Sequence, residues 1–230
     1  CGYELIAAPL LYMVKNGVSE RLEEFVRTGG TAVFSYLSGY VDENDRITLG
    51  GYPGKLRELC GIWVEETDSL PETEQNSFCY EGELYPAGLL CDIMHTEGAE
   101  VLARYREDFY AGTPIITRNQ YGGGLAYYVG TRSGEDFYLR FFADRCKEKG
   151  LRTASHDTVE TAAALSEKGI EITVREKDGV EYLFLLNHSG KRQELAVSAG
   201  GTDLLSGREI HGGEAFAIDA AGVMLVKAAE

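Results

Sequence analysis

No apolar run in this sequence approaches the roughly 20 residues needed to cross a bilayer as a helix, which excludes a helical membrane span. Cysteine is sparse and unpatterned. The five, Cys1, Cys60, Cys79, Cys91 and Cys146, are odd in number and form no CxxC pair. That excludes zinc-ribbon spacing and offers no disulfide framework, so reduced thiols in a cytoplasmic setting are the default expectation. Histidine is as thin. His95, His156, His188 and His211 are scattered, with no HxH or HExxH, and none lies near an obvious Ser or Cys nucleophile with an orienting acid. A Gly-x-Ser-x-Gly elbow is also absent. Basic charge is short: 22 Lys and Arg stand against 37 Asp and Glu, a net charge of −15. Such a field repels phosphates, arguing against nucleic acid and anionic membrane surfaces as partners.

What is present is a globular composition, 44% hydrophobic and 26% charged, in 230 residues. That suits one large domain or two ordinary ones with a sizeable core. The most informative stretch runs from Phe25 to Leu59. Tyr3–Ala8 is a short apolar strand stopped by Pro9. Asn16-Gly17-Val18-Ser19 leads into a helix with Ser19 as its expected cap and Leu22, Phe25 and Val26 on one face. Gly29-Gly30 stops the helix, and Thr31–Leu37 is a β-rich strand. Strand, helix and strand in this order predict a βαβ unit in a parallel sheet. Its ligand-facing ends would be Ala8-Pro9-Leu10 and Ser38-Gly39-Tyr40. The sheet needs further strands, which upstream residues could supply.

Further along, Lys55–Leu59 reads as a short helix, Gly61–Thr67 as extended, Glu83–Met94 as extended or irregular, and Ala99–Tyr105 as a strand. Pro114–Gln120 and Leu125–Gly130 form the clearest hairpin, closed by Tyr121-Gly122-Gly123-Gly124. Glu135–Gly150 is an amphipathic helix. Around Thr153–Ser166 the texture turns to Ala, Thr and Ser, and the domain boundary is placed there. From Ile170 the pattern is β throughout: Ile170–Lys177 and Glu181–Asn187 joined at Asp178-Gly179, then Gln193–Ser198, Thr202–Leu205, Arg208–Ile210, Glu214–Ile218 and Gly222–Lys227. Strands at intervals of about ten residues suit a small antiparallel sandwich or barrel. The expected division is an α/β domain over 1–152, a linker over 153–168 and an all-β domain over 169–230.

Each glycine or acid cluster has a plain reading beside a chemical one. Gly122-Gly123-Gly124 sits between strands with no following helix to aim amides at a phosphate, so it reads as a turn. Gly50-Gly51-Tyr52-Pro53-Gly54 precedes a helix but lacks the Lys-Ser/Thr of a P-loop. Asp42-Glu43-Asn44-Asp45 lacks EF-hand order and reads as a solvated turn or a contact with another domain or subunit. Cys91 has no basic neighbour to lower its pKa, so a buried thiol is the default. No pair of carboxylates is marked for glycosidic chemistry. No catalytic residue, metal site or cofactor is assigned. Cys1 has no Met before it and a strand begins almost at once, so the chain reads as a fragment.

The longer motifs carry a resemblance. Tyr3–Pro9 with Leu11-Tyr12-Met13-Val14, Phe25–Thr31, Ser38–Asp45, Leu49–Leu56, Leu90-Cys91-Asp92, Gly98–Leu102, Tyr105–Pro114, Gly124–Tyr128, Val174–Asn187 and Thr202–Gly207 resemble the family 42 β-galactosidases, in order and over essentially the whole chain. The resemblance implies three parts: a (β/α)₈ barrel hydrolysing terminal β-galactosides with retention through two glutamates, a flavodoxin-like domain akin to class I glutamine amidotransferases that forms trimers, and a small antiparallel β domain. This sequence matches the second and third, with the second N-terminally truncated. The family's acid/base glutamate follows an Asn, and no Asn-Glu dipeptide occurs here. The glutamates, and the cysteine-ligated zinc of some members, belong to the absent barrel. The expectation is a catalytically empty assembly portion whose partners are further copies of itself and its own barrel, with galactoside reached only through the parent. Tyr36, Tyr40, Asp42, Asn44 and Tyr52 are the candidate interface residues. Two other readings stay open: a free-standing carbohydrate-binding or assembly module, and a small amidotransferase-like hydrolase using Cys91.

Overall fold

The computed structural model describes residues 2–229. The chain divides into two compact units, with the division after Tyr138.

In the first unit, β1 (Leu5–Ala8), α1 (Val18–Arg27) and β2 (Thr31–Ser35) form the expected βαβ element. The two strands are parallel, with Leu5 opposite Thr31. All five residues of β2 are buried, as befits a strand covered on both faces. Helix α1 does not begin on a Ser19 cap. Gly17, at φ 80°, occupies the cap position without a side-chain bond, and the Ser19 hydroxyl donates to Glu20 Oε2 at 2.9 Å. A left-handed turn at glycine redirects the chain earlier than a serine cap would. The stop is as expected, with the amides of Gly29 and Gly30 donating to Val26 O and Phe25 O, both at 2.9 Å.

A 3₁₀ turn at Gly54–Leu56 leads into α2 (Arg57–Cys60). Then come β3 (Ile62–Ser69), β4 (Asn76–Tyr80), β5 (Glu83–Thr96), β6 (Glu100–Arg104), β7 (Pro114–Tyr121), β8 (Gly124–Val129) and β9 (Thr131–Arg132). One five-stranded sheet has the order β1-β2-β8-β7-β6, and a second runs β3-β5-β4 with β9 on β5. The first sheet is mixed. β2 and β8 are parallel, whereas β8 and β7, and β7 and β6, are antiparallel. A tight turn can only join antiparallel neighbours, so the Gly122–Gly124 hairpin ends the parallel part. The strand beside β2 therefore comes from later in this chain rather than from upstream. Val26, Phe34, Leu56, Ile62, Val64, Met94 and Tyr128 share one core beneath this sheet. Each such side chain contributes about 1.5–3 kcal/mol by leaving water.

Helix α3 (Glu135–Glu148) starts in the first unit, where Phe137 meets Phe78, Tyr80 and Tyr85 edge-on, and continues into the second. There α4 (Val159–Glu167) occupies the stretch read from sequence as a linker. Thr158 caps it, its hydroxyl accepting from the Thr161 amide at 3.3 Å, and Leu165 is buried in the core that follows. The remaining strands are β10 (Ile170–Lys177), β11 (Val180–Asn187), β12 (Gln193–Leu195), β13 (Gly201–Asp203), β14 (Glu209–Ile210), β15 (Phe216–Ile218) and β16 (Val223–Ala228). They make an antiparallel sheet of order β10-β11-β16-β13-β14 and a two-stranded sheet β12-β15. Leu183, Leu185, Met224 and Val226 from one meet Leu195, Phe216 and Ile218 from the other in a single hydrophobic core.

Candidate functional site

The carboxyl ends of β1 and β2 open onto two loops, residues 9–17 and 36–54, that are stitched together. Leu10 N donates to Ser35 Oγ at 2.8 Å and Leu11 N to Ser38 Oγ at 3.2 Å. Val41 N donates to Tyr12 O and Val14 N to Val41 O, each at 3.1 Å. A Cβ on Gly39 would stand 2.1 Å from Pro53 O, and Gly39 has φ +69°. That contact explains why Ser38 is followed by glycine: only a bare Cα lets the loop fold back on itself.

Three tyrosines run inward from this surface. Tyr12, 40% exposed, stacks on Tyr40 at 5.5 Å, and Tyr40 meets Tyr52 edge-on at 5.2 Å. The Tyr52 hydroxyl donates to Asp92 Oδ1 at 2.6 Å. Asp92 lies on β5 and is fully buried. It also accepts from Thr67 of β3 at 2.8 Å and from Tyr128 of β8 at 2.9 Å, while Tyr105 donates to its backbone carbonyl at 3.3 Å. The Thr67 and Tyr52 hydroxyls are also in hydrogen-bond contact, and with one proton each they fill two of the three bonds among Tyr52, Thr67 and Asp92 Oδ1 at a time. Burial pushes the Asp92 carboxyl up from 3.8 to about 6, partly offset by the hydroxyls of Tyr52, Thr67 and Tyr128 and the Leu37 amide.

Over the loop, Asp42 accepts from the amides of Asn44 at 2.8 Å and Arg46 at 3.0 Å. The Arg46 and Asn44 amides hold its carboxyl below the usual range. Asn44 is exposed. Ile47 and Leu49 are 61% and 94% exposed, and Leu10 47%, a concentration of apolar side chains that solvent alone does not explain. Beside them is a cavity of about 420 Å³ between Tyr40, Ile47 and Thr48 of the loop and Glu65, Glu66 and Thr67 of β3. Neighbouring residues on a strand normally point to opposite faces; a bulge between Val64 and Glu66 brings both glutamates to this one.

Of the residues singled out from sequence, Tyr40, Asp42, Asn44 and Tyr52 fall in this loop. Tyr40 is half-buried, and Tyr52 is buried beneath the loop. Tyr36 goes elsewhere: it is buried toward Arg132 and Tyr138, and burial raises its phenol. Leu10, Tyr12, Ile47, Leu49 and Asp92 were not singled out, although Leu49 beside Gly50-Gly51 was a legible sign of an exposed apolar turn. Gly50-Gly51 carries no phosphate-site geometry. A Cβ on Gly51 would stand 2.6 Å from Val64 O, which ties this glycine to close packing on β3. Cys91 is buried, 3.5 Å from Thr131 Oγ1, and burial raises its thiol. The geometry is that of a packed side chain, contrary to a nucleophile. Among the described residues no group of three or more His, Cys, Asp or Glu is placed to hold a metal. His95, His156 and His188 pair with Glu65, Glu181 and Glu171 respectively, at the surface.

Comparison with known proteins decides the family. Residues 1–152 match the model of the β-galactosidase trimerisation domain, and residues 169–228 that of the β-galactosidase C-terminal domain. This chain belongs to the β-galactosidase trimerisation-domain family. β-Galactosidase Pbg of Clostridium perfringens is 40% identical over 98% of this chain and 32% of its own length. β-Galactosidase BglY of Alicyclobacillus acidocaldarius is 42% identical over 85% of this chain and 28% of its own. Among solved structures, the β-galactosidase of Bacillus circulans superposes with a TM-score of 0.88 at 41% identity, over 99% of this chain and 33% of that one. The chain thus spans about a third of the length of these β-galactosidases and matches the trimerisation and C-terminal domains.

Proposed function

We propose that this chain is the assembly portion of a retaining β-galactosidase whose terminal β-D-galactosides are cleaved in a (β/α)₈ barrel outside the present sequence. The observation that carries this is the coverage: nearly all of this chain aligns with about a third of each relative, under models named for trimerisation and for the C-terminus. The described residues support a catalytically empty chain, since the one thiol of interest, Cys91, is sealed in the core.

The partners on this reading are two further copies of the chain, forming a trimer, and the parent's own barrel. The assembly surface comprises Tyr40, Asp42 and Asn44 over Tyr52, widened by Leu10, Tyr12, Ile47 and Leu49. Aromatic and aliphatic side chains left in water are what an interface would cover. Tyr36, the fifth candidate, is buried toward Arg132 and Tyr138, apart from these residues. We further read the first unit as a flavodoxin-like domain lacking its first strands. Three adjacent parallel strands support this, as does the edge position of β1, which has β2 as its one neighbour among the described residues. The division at 1–152 and 169–230 follows the two family matches. Free thiols at Cys60, Cys79, Cys91 and Cys146 suit a reducing cytoplasm.

The test pairs two measurements on the chain as it stands. Sedimentation should give a trimer, and a chromogenic β-galactoside should not be turned over. Measurable galactoside hydrolysis would sink the catalytically empty reading, and a monomer at micromolar concentration would sink the assembly reading.

A further inference from the structure

Asp92 is the one carboxylate among the described residues that is fully buried and gathers hydroxyls from three separate elements. Tyr52 comes from the surface loop, Thr67 from β3 and Tyr128 from β8. The loop is attached to β3 at the same place, with Val64 N donating to Tyr52 O at 2.6 Å. Tyr52 is itself only 5% exposed, so a loop lifted off β3 would withdraw Tyr52 from Asp92. Such an open form would differ from the closed one in whether this carboxyl is dry or hydrated. A neutral carboxylic acid is much cheaper to bury than a carboxylate.

We propose that Asp92 is a proton-operated latch, in which uptake of a proton favours the loop carrying Tyr40 and Tyr52 in its closed form and so the surface it presents to a second copy of the chain. This rests on the assembly reading above and names its regulation. On protonation the carboxyl becomes a donor, and a hydroxyl must turn to accept from it. Thr67 Oγ1 can, because either it or Tyr52 can be the donor in the bond they share. The ionisable groups facing Asp92 are phenols, Tyr36, Tyr52, Tyr105 and Tyr128, all neutral in the acid range. One step further out, Arg132 faces Tyr36, while Asp68 faces Cys91 and Tyr110.

The sign follows from the closed-form value of about 6 against 3.8 for a hydrated aspartate. The closed loop binds the proton more tightly, so acidification favours it. Between pH 7 and pH 5 the open population should fall about tenfold.

Hydrogen exchange of the Thr48 and Val64 amides, which bond to Tyr40 O and Tyr52 O, tests this on the 230-residue chain. After correction for intrinsic chemistry, protection should rise about tenfold from pH 7 to pH 5 in the wild type and stay level in Asp92→Asn. A level wild-type profile, or an equal rise in the variant, overturns the latch. Should the variant not fold, a carbon-13 titration of the wild-type Asp92 carboxyl takes its place: a midpoint near 6 supports the latch and one near 4 overturns it. Sedimentation at both pH values separates the two ideas. A trimer population that rises in acid supports the coupling, and one that ignores pH while exchange follows it overturns the link to assembly. A monomer at every pH overturns the assembly reading, and the latch then stands or falls on exchange.

Discussion

Asp92 in the first unit and Asp203 in the second are both buried, yet their surroundings push them in opposite directions. At Asp92 burial dominates over three hydroxyls and an amide, and the carboxyl rises to about 6. At Asp203 burial also pushes upward, but the Ser206 hydroxyl and the amides of Leu225, Leu205 and Ser206 outweigh it and the value falls. Fixed amides at a turn suit an anion better than hydroxyls that can rotate. The stability consequences are opposite. Asp203 contributes stability that is present above the usual aspartate pKa and lost as pH falls through its lowered folded value. Asp92 carries a penalty above about pH 6 that is relieved as it takes up a proton, worth about 2.4 kcal/mol between pH 8 and pH 4. Mild acid therefore tightens the first unit, and stronger acid loosens the second.

The largest expected effect comes from removing the second anchor. Asp203→Ala leaves the amides of Leu205 and Leu225, bonded to Oδ1 at 3.2 and 3.1 Å, without an acceptor. It should cost about 3 kcal/mol at pH 7 in a urea titration, shrinking toward pH 3; a cost independent of pH would break the comparison. Next is Gly39→Ala, which drives a methyl into Pro53 O at a left-handed position. A loss of about 2 kcal/mol is expected, with protease nicking in residues 42–50 faster than in the wild type. Unchanged nicking would show that the loop is not held by that contact. The smallest is Tyr128→Phe, which removes one donor from Asp92 at 2.9 Å. About 1 kcal/mol should be lost at pH 8 and less at pH 5, because the missing hydroxyl serves the anion. Equal losses at both pH values would place the Tyr128 hydroxyl outside the proton linkage.

Much of this architecture can be read locally. The βαβ unit, the Tyr121–Gly124 hairpin and the Asp178-Gly179 hairpin are encoded by glycine positions and by apolar periods of 3.6 and 2. Pairing partners are not so encoded. β8 lies parallel to β2 although their opposed residues Thr31 and Leu125 are far apart in sequence, and nothing in either segment names the other. The helix at Val159–Glu167 was hidden because Ala, Thr and Ser give a weak apolar stripe; its signal was the Thr158 cap. β4 was hidden in a short polar stretch whose inward residues are Asn76, Phe78 and Tyr80.

The candidate surface was half legible. Tyr40, Asp42 and Asn44 stand in one loop because they stand close in sequence. Asp92 meets Thr67, Tyr128 and Tyr52 across separations of 25, 36 and 40 residues. Such a cluster exists only once the sheets are assembled. Tyr36 stands apart from the other candidates for a related reason: it lies just past the last residue of β2, where one step in alternation selects the opposite side.

Three hairpin turns that look interchangeable on paper differ in one practical respect. A side chain added at Gly82 or Gly179 meets nothing within 4 Å, whereas at Gly124 it would strike Gly30 O at 2.1 Å and Val26 O at 2.2 Å. The last of these turns is a keystone under the end of α1, closed to any graft. At Gly82 and Gly179 the space is open but φ is +85° and +76°, so a label's side chain there would meet backbone strain and no clash.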